Sequence, residues 1–299
     1  MTAPGKKRLG LLQIHLAVFL FGFSGLFGKI ISLDPVAITF GRTFFAGIFL
    51  FAVLSLTGKI RSVRSSSELP SLLFSGTVLA VHWLSFFQSI QVSSVAIGLL
   101  TFSTFPVFIT FLEPVLFGER LVWFDVITAL LVFAGLFCVI PAYDFSNQVT
   151  QGALWGVLSG FTFAVLSLCN RMHAKRLPPL LVSFYQLSVA ALITLPFVVV
   201  SGAHPSKTDI FFTMILGIVF TAIAQTLFIG SLKHIRAHLA GVTVALEPLY
   251  GIILAVIILH EIPAWKTVVG GLVILGAVTG ASIGPFRPQK QPSKAKKGA

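Results

Sequence analysis

The sequence predicts an all-α membrane protein with ten transmembrane helices. Hydrophobic residues make up 56% of the 299 residues and charged residues only 10%, and the mean hydropathy is +0.97. Apolar runs of about twenty residues, the length that crosses about 30 Å of hydrocarbon, recur along the whole chain. The Lys and Arg residues collect in alternate gaps between these runs. Composition, run length and charge therefore agree on a polytopic protein with little room for a soluble domain.

Ten apolar runs follow one another along the chain. The first comes after Lys6, Lys7 and Arg8, but it is too long for a signal-peptide core and lacks a small-residue cleavage site. We therefore expect it to be a retained helix. The ten predicted helices span residues 9–31, 35–57, 70–90, 94–117, 121–141, 151–171, 179–201, 208–232, 237–259 and 266–284.

The positive charges divide unequally between the two sides of the predicted helices. With a cytoplasmic N-terminus, seventeen of the 21 Lys and Arg residues fall on the cytoplasmic side, and only Lys29, Lys207 and Lys266 fall on the other. This positive-inside pattern predicts that both termini are cytoplasmic. It also accounts for the net charge of +12 without a nucleic-acid partner. We expect the basic tail, residues 285–299, to be a topology signal and a solvated end.

The two halves of the chain repeat each other. A shift of 142 residues aligns them, with a slip of two residues around the second helix. The aligned pairs include Pro106 with Pro248, Glu119 with Glu261, Trp123 with Trp265 and, after the slip, Arg42 with Gln186. Each half contains five helices, an odd number, so the second half enters the membrane in the opposite sense. Inverted repeats are typical of secondary transporters, whose substrate sites lie between the repeats, although channels and scaffolds are duplicated too.

The repeat divides the chain into five parts. These are a cytoplasmic N-terminus (1–8), a first five-helix repeat (9–141), a connecting loop (142–150), a second repeat (151–284) and the basic tail (285–299).

The motifs of the two halves resemble a known family. The first half has Pro106, Glu113 and the stretch 118–121 (GERL), and the second has Glu247-Pro248 followed by His260-Glu261. This arrangement is similar to the EamA-type members of the drug/metabolite transporter superfamily over residues 9–284. The resemblance implies a ten-helix protein of the bacterial cytoplasmic (inner) membrane that exports amino acids or other small metabolites. Since Phe105 stands where the second half has Glu247, the resemblance does not imply a matched pair of site residues.

Glu247 is the leading candidate for a functional residue, because a charge near the middle of a transmembrane helix is costly. Thr243, Glu247 and Tyr250 recur at helical spacing and form one polar stripe on the ninth helix; Thr101 and Phe105 are its counterparts on the fourth. A carboxylate opposite an aromatic ring suits a substrate with a cationic or hydrogen-bonding end and an apolar end. The alternative is a protonated Glu247 that hydrogen-bonds a neighbouring helix.

Arg42 is the second charged candidate, about 10 Å inside the outer end of the second helix. Its guanidinium could bind a substrate carboxylate or pair with Glu247. Snorkelling to the outer surface is the equally open alternative. Gln186, its counterpart, is the corresponding candidate in the second half.

His82 and Trp83 lie in the middle of the third helix, and Gln225 aligns with Trp83 on the eighth. Only one of His82 and Trp83 is expected to point fully into a cavity, because neighbours on a helix lie about 100° apart. His82 is a candidate proton carrier together with Glu247, or a neutral buried histidine. Trp83 and Gln225 are candidate substrate contacts, although Gln225 could equally join two helices.

Pro106 and Pro248 are expected to break the fourth and ninth helices and to release the carbonyls of Phe102 and Val244. Broken helices at membrane depth tend to line cavities, whereas a plain packing kink is the alternative. Phe23 and Phe27, next to glycines of the first helix, are candidate plugs of a gate.

The sequence thus predicts a secondary transporter that exports a small amphipathic metabolite by alternating access. The chain contains no phosphate-binding loop, Rossmann fingerprint or CxxC spacing, and His234 and His238, although four residues apart, have no carboxylate or cysteine near them. We therefore expect no cofactor, no metal and no enzymatic activity. The expected partners are a small-molecule substrate and the lipid bilayer, and a homodimer is left open. The alternatives are an uptake permease or facilitator and, more remotely, an intramembrane enzyme or sensor.

Overall fold

The computed structural model describes residues 3–58, 68–118, 123–140, 144–235, 240 and 243–283, and every regular element in these ranges is a helix. Glu119, Arg120 and the basic tail lie outside them. The helices are α1 (Ala3–Ile30), α2 (Pro35–Leu56), α3 (Leu69–Val92), α4a (Val95–Phe102), α4b (Phe105–Phe117), α5 (Trp123–Val139), α6 (Gln148–His173), α7 (Pro179–Ser201), α8 (Lys207–Ser231), α9 (Glu247–Leu259) and α10 (Trp265–Ile283).

Seven helical segments are long and apolar enough to cross a membrane, with α4a and α4b together counted as one segment, Val95–Phe117. Three shorter apolar helices, Val126–Val139, Glu247–Leu259 and Trp265–Gly280, occupy the positions of the predicted fifth, ninth and tenth helices. The all-α membrane fold is therefore confirmed. Ten crossings and cytoplasmic termini stay predictions.

Both predicted breaks lie just before the prolines. α4a ends at Phe102, two residues intervene, and Pro106 is the second residue of α4b. Pro248 is likewise the second residue of α9. A proline is well tolerated there because the first-turn N–H groups of a helix have no intrahelical acceptor. The break therefore places the N-termini of α4b and α9 inside the bundle.

Two other helices differ from expectation. α1 begins at Ala3, so the helix includes the basic residues Lys6, Lys7 and Arg8, which precede the apolar run. α8 contains a π-helical turn at Ile218–Ile223, where the Thr221 hydroxyl donates to the Leu216 carbonyl at 2.6 Å. Such turns often occur at functional sites.

The first helix of each half packs against helices of the other half. α1 packs on α8 and α9 of the second half, and α6 packs on α3 and α4a of the first. α2 packs on α7, and α5 on α10. This pairing of equivalent elements is what a two-fold relation between the halves requires. The contact is close: a methyl group at Gly156 of α6 would overlap Thr101 of α4a.

Polar contacts join the halves at both ends of the bundle. At the end that the charge pattern assigns to the outside, the outer end, Val95 N donates to Glu261 at 2.8 Å and Ser32 N donates to Asp209 at 2.9 Å. At the opposite, inner end, Arg171 forms a 2.7 Å salt bridge with Glu113, which is only 4% exposed.

Candidate substrate-binding site

A small cavity lies between the halves, lined by α1, α3, α4a, α6, α8 and α9. Its volume is about 20 Å³, which is room for about one water molecule. Aromatic rings form most of its wall. The lining residues are Phe21, Trp83, Phe86, Phe102, Phe163 and Phe228, the polar residues His82, Asn170, Gln225 and Glu247, and Leu79 and Leu166.

Glu247 supplies the one carboxylate among these lining residues. It is the first residue of α9 and is 4% exposed. The partial positive charge of a helix N-terminus favours an anion at this position. Within the described part of the chain, the Glu247 side chain forms no hydrogen bond or salt bridge. Its carboxylate is therefore available to a ligand in the cavity.

Arg42 points into the bundle and is fully buried, so it does not snorkel. Its guanidinium carbon lies 3.4 Å from the centre of the Trp83 ring and 5.2 Å from that of Phe87. Nε and Nη2 both donate to the hydroxyl of Thr221, at 2.9 and 2.7 Å. The π-helical turn of α8 thus supplies the acceptor that holds Arg42 against the back of the cavity wall.

His82 and Trp83 both line the cavity, and which of them points further into it stays a prediction. Their ring centroids are 4.7 Å apart with the planes tilted by 50°, and the two rings share one wall. The His82 Nδ1 lies 3.1 Å from the Ser159 carbonyl and 2.9 Å from the Ser159 hydroxyl. An Nδ1–H donor to the carbonyl leaves Nε2 as the acceptor of a neutral ring.

Gln186 does not reach the cavity but holds two residues that do. Its amide donates to Asn170 at 2.7 Å and to Ser75 at 3.0 Å, and its carbonyl accepts from Gln225 at 3.0 Å. Gln186 is therefore a positioning residue in this structure, since Asn170 and Gln225 line the cavity.

Four predicted contacts lie outside the cavity wall. Thr101 donates to the Ile97 carbonyl at 2.7 Å and packs on α6, because α6 approaches α4a at Gly156. Phe105 is buried in an aromatic cluster with Phe102 and Phe163. Thr243 is buried beside the break in front of α9, and Tyr250 is half-buried against Phe19 of α1. The polar stripe of the ninth helix thus contributes Glu247 to the wall, while Thr101, Phe105 and Tyr250 pack against neighbouring helices.

Phe23 and Phe27 pack between α1 and α8. Phe23 stacks on Phe220 with 5.1 Å between centroids, and Phe27 lies 5.3 Å from the same ring. Phe220 belongs to the π-helical turn. These rings lie on the outer-end side of Phe21, where a gate residue is expected.

The sequence pattern did not single out Asn170 as a cavity residue or Thr221 as the partner of Arg42. Asn170 directly precedes Arg171 at the predicted cytoplasmic end of its helix, where a lone asparagine carries no signal for a cavity. Thr221 shares a helix face with Gln225, but its hydrogen bonds to Arg42 are made at the π-helical turn, which has no sequence signal here. The described residues contain no group of three or more His, Cys, Asp or Glu that could hold a metal ion.

The sequence model of the EamA-like transporter family matches residues 8–140 and 150–283, which is most of the chain. The chain belongs to this family. It is therefore a transporter of the drug/metabolite transporter superfamily and a multi-pass protein of the inner membrane.

The relatives of this EamA-family chain include an uptake transporter and an exporter. An uncharacterized transporter of Archaeoglobus fulgidus is 26% identical over 91% of this chain and 95% of its own length. The S-adenosylmethionine uptake transporter of Rickettsia prowazekii is 23% identical over 82% of each chain. The pseudopaline exporter CntI of Pseudomonas aeruginosa is 22% identical over 90% of this chain and 94% of its own.

A protein of known crystal structure has the same fold as this EamA-family chain. The TM-score is 0.69, with 21% identity over 94% of this chain and 98% of the other.

Proposed function

We propose that this protein is a secondary transporter that exports a small amphipathic metabolite with a cationic group, and that Glu247 binds that group. The observation that supports the proposal is the cavity between the halves, where a carboxylate without a hydrogen-bond partner among the described residues faces a wall of aromatic rings. A carboxylate attracts a cation, and aromatic faces bind cations through their quadrupoles. S-adenosylmethionine, which one relative takes up, is a sulfonium cation and fits this chemistry.

The size of the cavity supports alternating access. A volume of about 20 Å³ cannot hold a metabolite, so the halves must separate on one side to admit it. At the outer end this means breaking the contacts of Glu261 and Asp209, and at the inner end the salt bridge of Arg171 with Glu113. Rocking of one repeat against the other opens one end at a time.

Proton exchange at Glu247 is the driving force that we propose. Exchange of one proton for a substrate without net charge, such as a zwitterion, moves one charge across a membrane potential of about 100 mV and supplies about 2.3 kcal/mol. A single titrating carboxylate therefore suffices to drive accumulation. His82 is the second candidate carrier, since its ring lines the same cavity.

Uptake is the alternative direction, because relatives of both kinds exist. The charge pattern predicts that both termini are cytoplasmic. For a protein in this orientation, accumulation in inside-out and in right-side-out vesicles distinguishes export from uptake. Faster proton-driven accumulation in inside-out vesicles is expected for an exporter, and faster accumulation in right-side-out vesicles would show uptake.

The substrate class is tested by exchange in proteoliposomes of the purified full-length protein. The labelled compounds are S-adenosylmethionine, L-phenylalanine, a neutral nucleoside and a dicarboxylate. We expect exchange of compounds with a cationic group and none of the nucleoside or the dicarboxylate. Exchange of the neutral or dianionic compound alone would contradict the proposal.

A further inference from the structure

Arg42 is a buried cation with unused hydrogen-bonding capacity. It is 0% exposed, and two of its three nitrogens bind the single hydroxyl of Thr221. The third, Nη1, is buried with no hydrogen-bond partner. A guanidinium carries five N–H donors in a planar fork, and leaving a buried charged donor unpaired is costly. A purely structural role does not explain why a permanent charge is kept in this state.

Trp83 separates Arg42 from the cavity. The guanidinium lies against the Trp83 ring, and Trp83 lines the cavity while Arg42 does not. The indole nitrogen of Trp83 is itself buried without a hydrogen-bond partner. The ring is therefore held by apolar packing and stacking without a hydrogen bond among the described residues, and its displacement would open the way from the cavity to Arg42.

The charges of Arg42 and Glu247 belong to one site. Arg42 lies directly behind Trp83, and Trp83 and Glu247 line the same cavity, yet the two charged residues form no salt bridge with each other among the described residues. A ligand with a positive and a negative group would satisfy both, because its cation would meet Glu247 and its anion would meet Nη1 of Arg42. Arginine is suited to this role, since its fork matches the two oxygens of a carboxylate.

We propose that Arg42 is the anion-binding residue of the site and that Trp83 covers it until the substrate enters. This assignment rests on the proposed function and narrows the substrate to zwitterions with a carboxylate. A carboxylate that displaces the ring gains a charge-assisted hydrogen bond from Nη1, and the displaced Trp83 can cover the apolar part of the ligand.

The fluorescence of Trp83 reports on this displacement. The chain has four Trp residues, and Trp123, Trp155 and Trp265 are 76%, 41% and 71% exposed, so Phe should replace them without harm. The probes are two matched pairs, L-phenylalanine with phenethylamine and L-methionine with 3-(methylthio)propylamine. In each pair the amine lacks only the carboxylate.

We expect both amino acids to change Trp83 emission saturably and to bind about tenfold or more tightly than their amines. Arg42→Gln should remove this preference, and Arg42→Lys, which keeps the charge but not the fork, should reduce it. Lys29→Gln is the matched control, since it removes an exposed cation outside the cavity, and it should leave the preference intact.

Three results would overturn the assignment: equal affinity for acid and amine, an unchanged preference in Arg42→Gln and Arg42→Lys, or no saturable response to either amino acid. If Arg42→Gln fails to fold, Arg42→Lys decides the question. Equal binding of the amines that is lost in Glu247→Gln would overturn the role of Arg42 while leaving the proposed function standing. If the purified full-length protein exchanges no cationic compound in proteoliposomes, that result would count against the proposed function itself.

Discussion

Gln225 donates a 3.0 Å hydrogen bond to the side-chain oxygen of Gln186. These two residues are the repeat counterparts of Trp83 and Arg42, whose side chains stack at 3.4 Å in the first half. The two equivalent positions are therefore in contact in both halves. In the first half the contact is a cation on an aromatic ring, and in the second it is a hydrogen bond between two amides. Together with Glu247, this difference makes the cavity asymmetric, as the binding of a substrate with two unlike ends requires.

The buried carboxylates Glu113 and Glu247 should differ in what they contribute to stability. Glu113→Gln removes the partner of Arg171, whose side chain is only 17% exposed, and should cost about 1–3 kcal/mol because a largely buried cation loses its counter-charge. Glu247→Gln removes no salt bridge among the described residues and should not lower the melting temperature. Thermal unfolding of both variants in detergent checks this, and equal destabilisation would show that Glu247 has a structural partner.

The hydroxyl of Thr221 should be needed to keep Arg42 in place. Thr221→Val keeps the shape but removes the acceptor of two Arg42 donors, and should cost about 1–3 kcal/mol in unfolding free energy. Thr221→Ser keeps the hydroxyl and is the matched control. The measurement is denaturation followed by circular dichroism. A Val variant as stable as the Ser variant would mean that the Arg42 contact contributes little.

Gly156 should be intolerant of any side chain. A methyl group there would overlap Thr101, so Gly156→Ala should force α6 away from α4a at a cost of about 1–3 kcal/mol. At Gly276 of α10 no atom lies within 4 Å of an added methyl group, and Gly276→Ala should be neutral or slightly stabilising. Melting temperatures of the two variants test the packing, and equal effects would contradict the close approach of α6.

The two ends of the bundle should lie on opposite sides of the membrane. In a cysteine-free background, a cysteine at Asp144 should react with a membrane-impermeant thiol reagent in intact cells. One at Lys175 should react only after permeabilisation, since α6 separates the two positions. Labelling of both positions from the same side would contradict the predicted inverted repeat.

Much of this architecture can be predicted from the sequence because the relevant signals are strong and one-dimensional. The bilayer fixes the length of an apolar run, so α1, α2, α3, α6, α7 and α8 lie close to their predicted spans. Pro106 and Pro248 locate the two breaks because proline cannot donate within a helix. Glu247 was found for a similar reason, as a charge is rare at that depth.

The composition of the cavity wall depends on how helices rotate and approach, and this was harder to predict. Thr101 shares a face with candidate residues on a helical wheel, yet the close approach at Gly156 directs it to α6. Trp83 and His82 both line the wall, with their ring centroids 4.7 Å apart, although they are neighbours on one helix. Thr221 meets Arg42 through a π-helical turn, which shifts the face of α8 in a way that a regular 3.6-residue period does not describe.

Flux through the Glu247→Gln variant tests the central claim most directly. The purified full-length protein, the variant and Glu113→Gln as the carboxylate control are reconstituted in proteoliposomes, and flux per inserted protein is measured at two pH values. We expect Glu247→Gln to insert normally but to lose transport or its pH dependence, and Glu113→Gln to keep a pH response once corrected for folded protein. Wild-type flux with a wild-type pH response in Glu247→Gln would contradict the account and leave Glu247 as a packing residue.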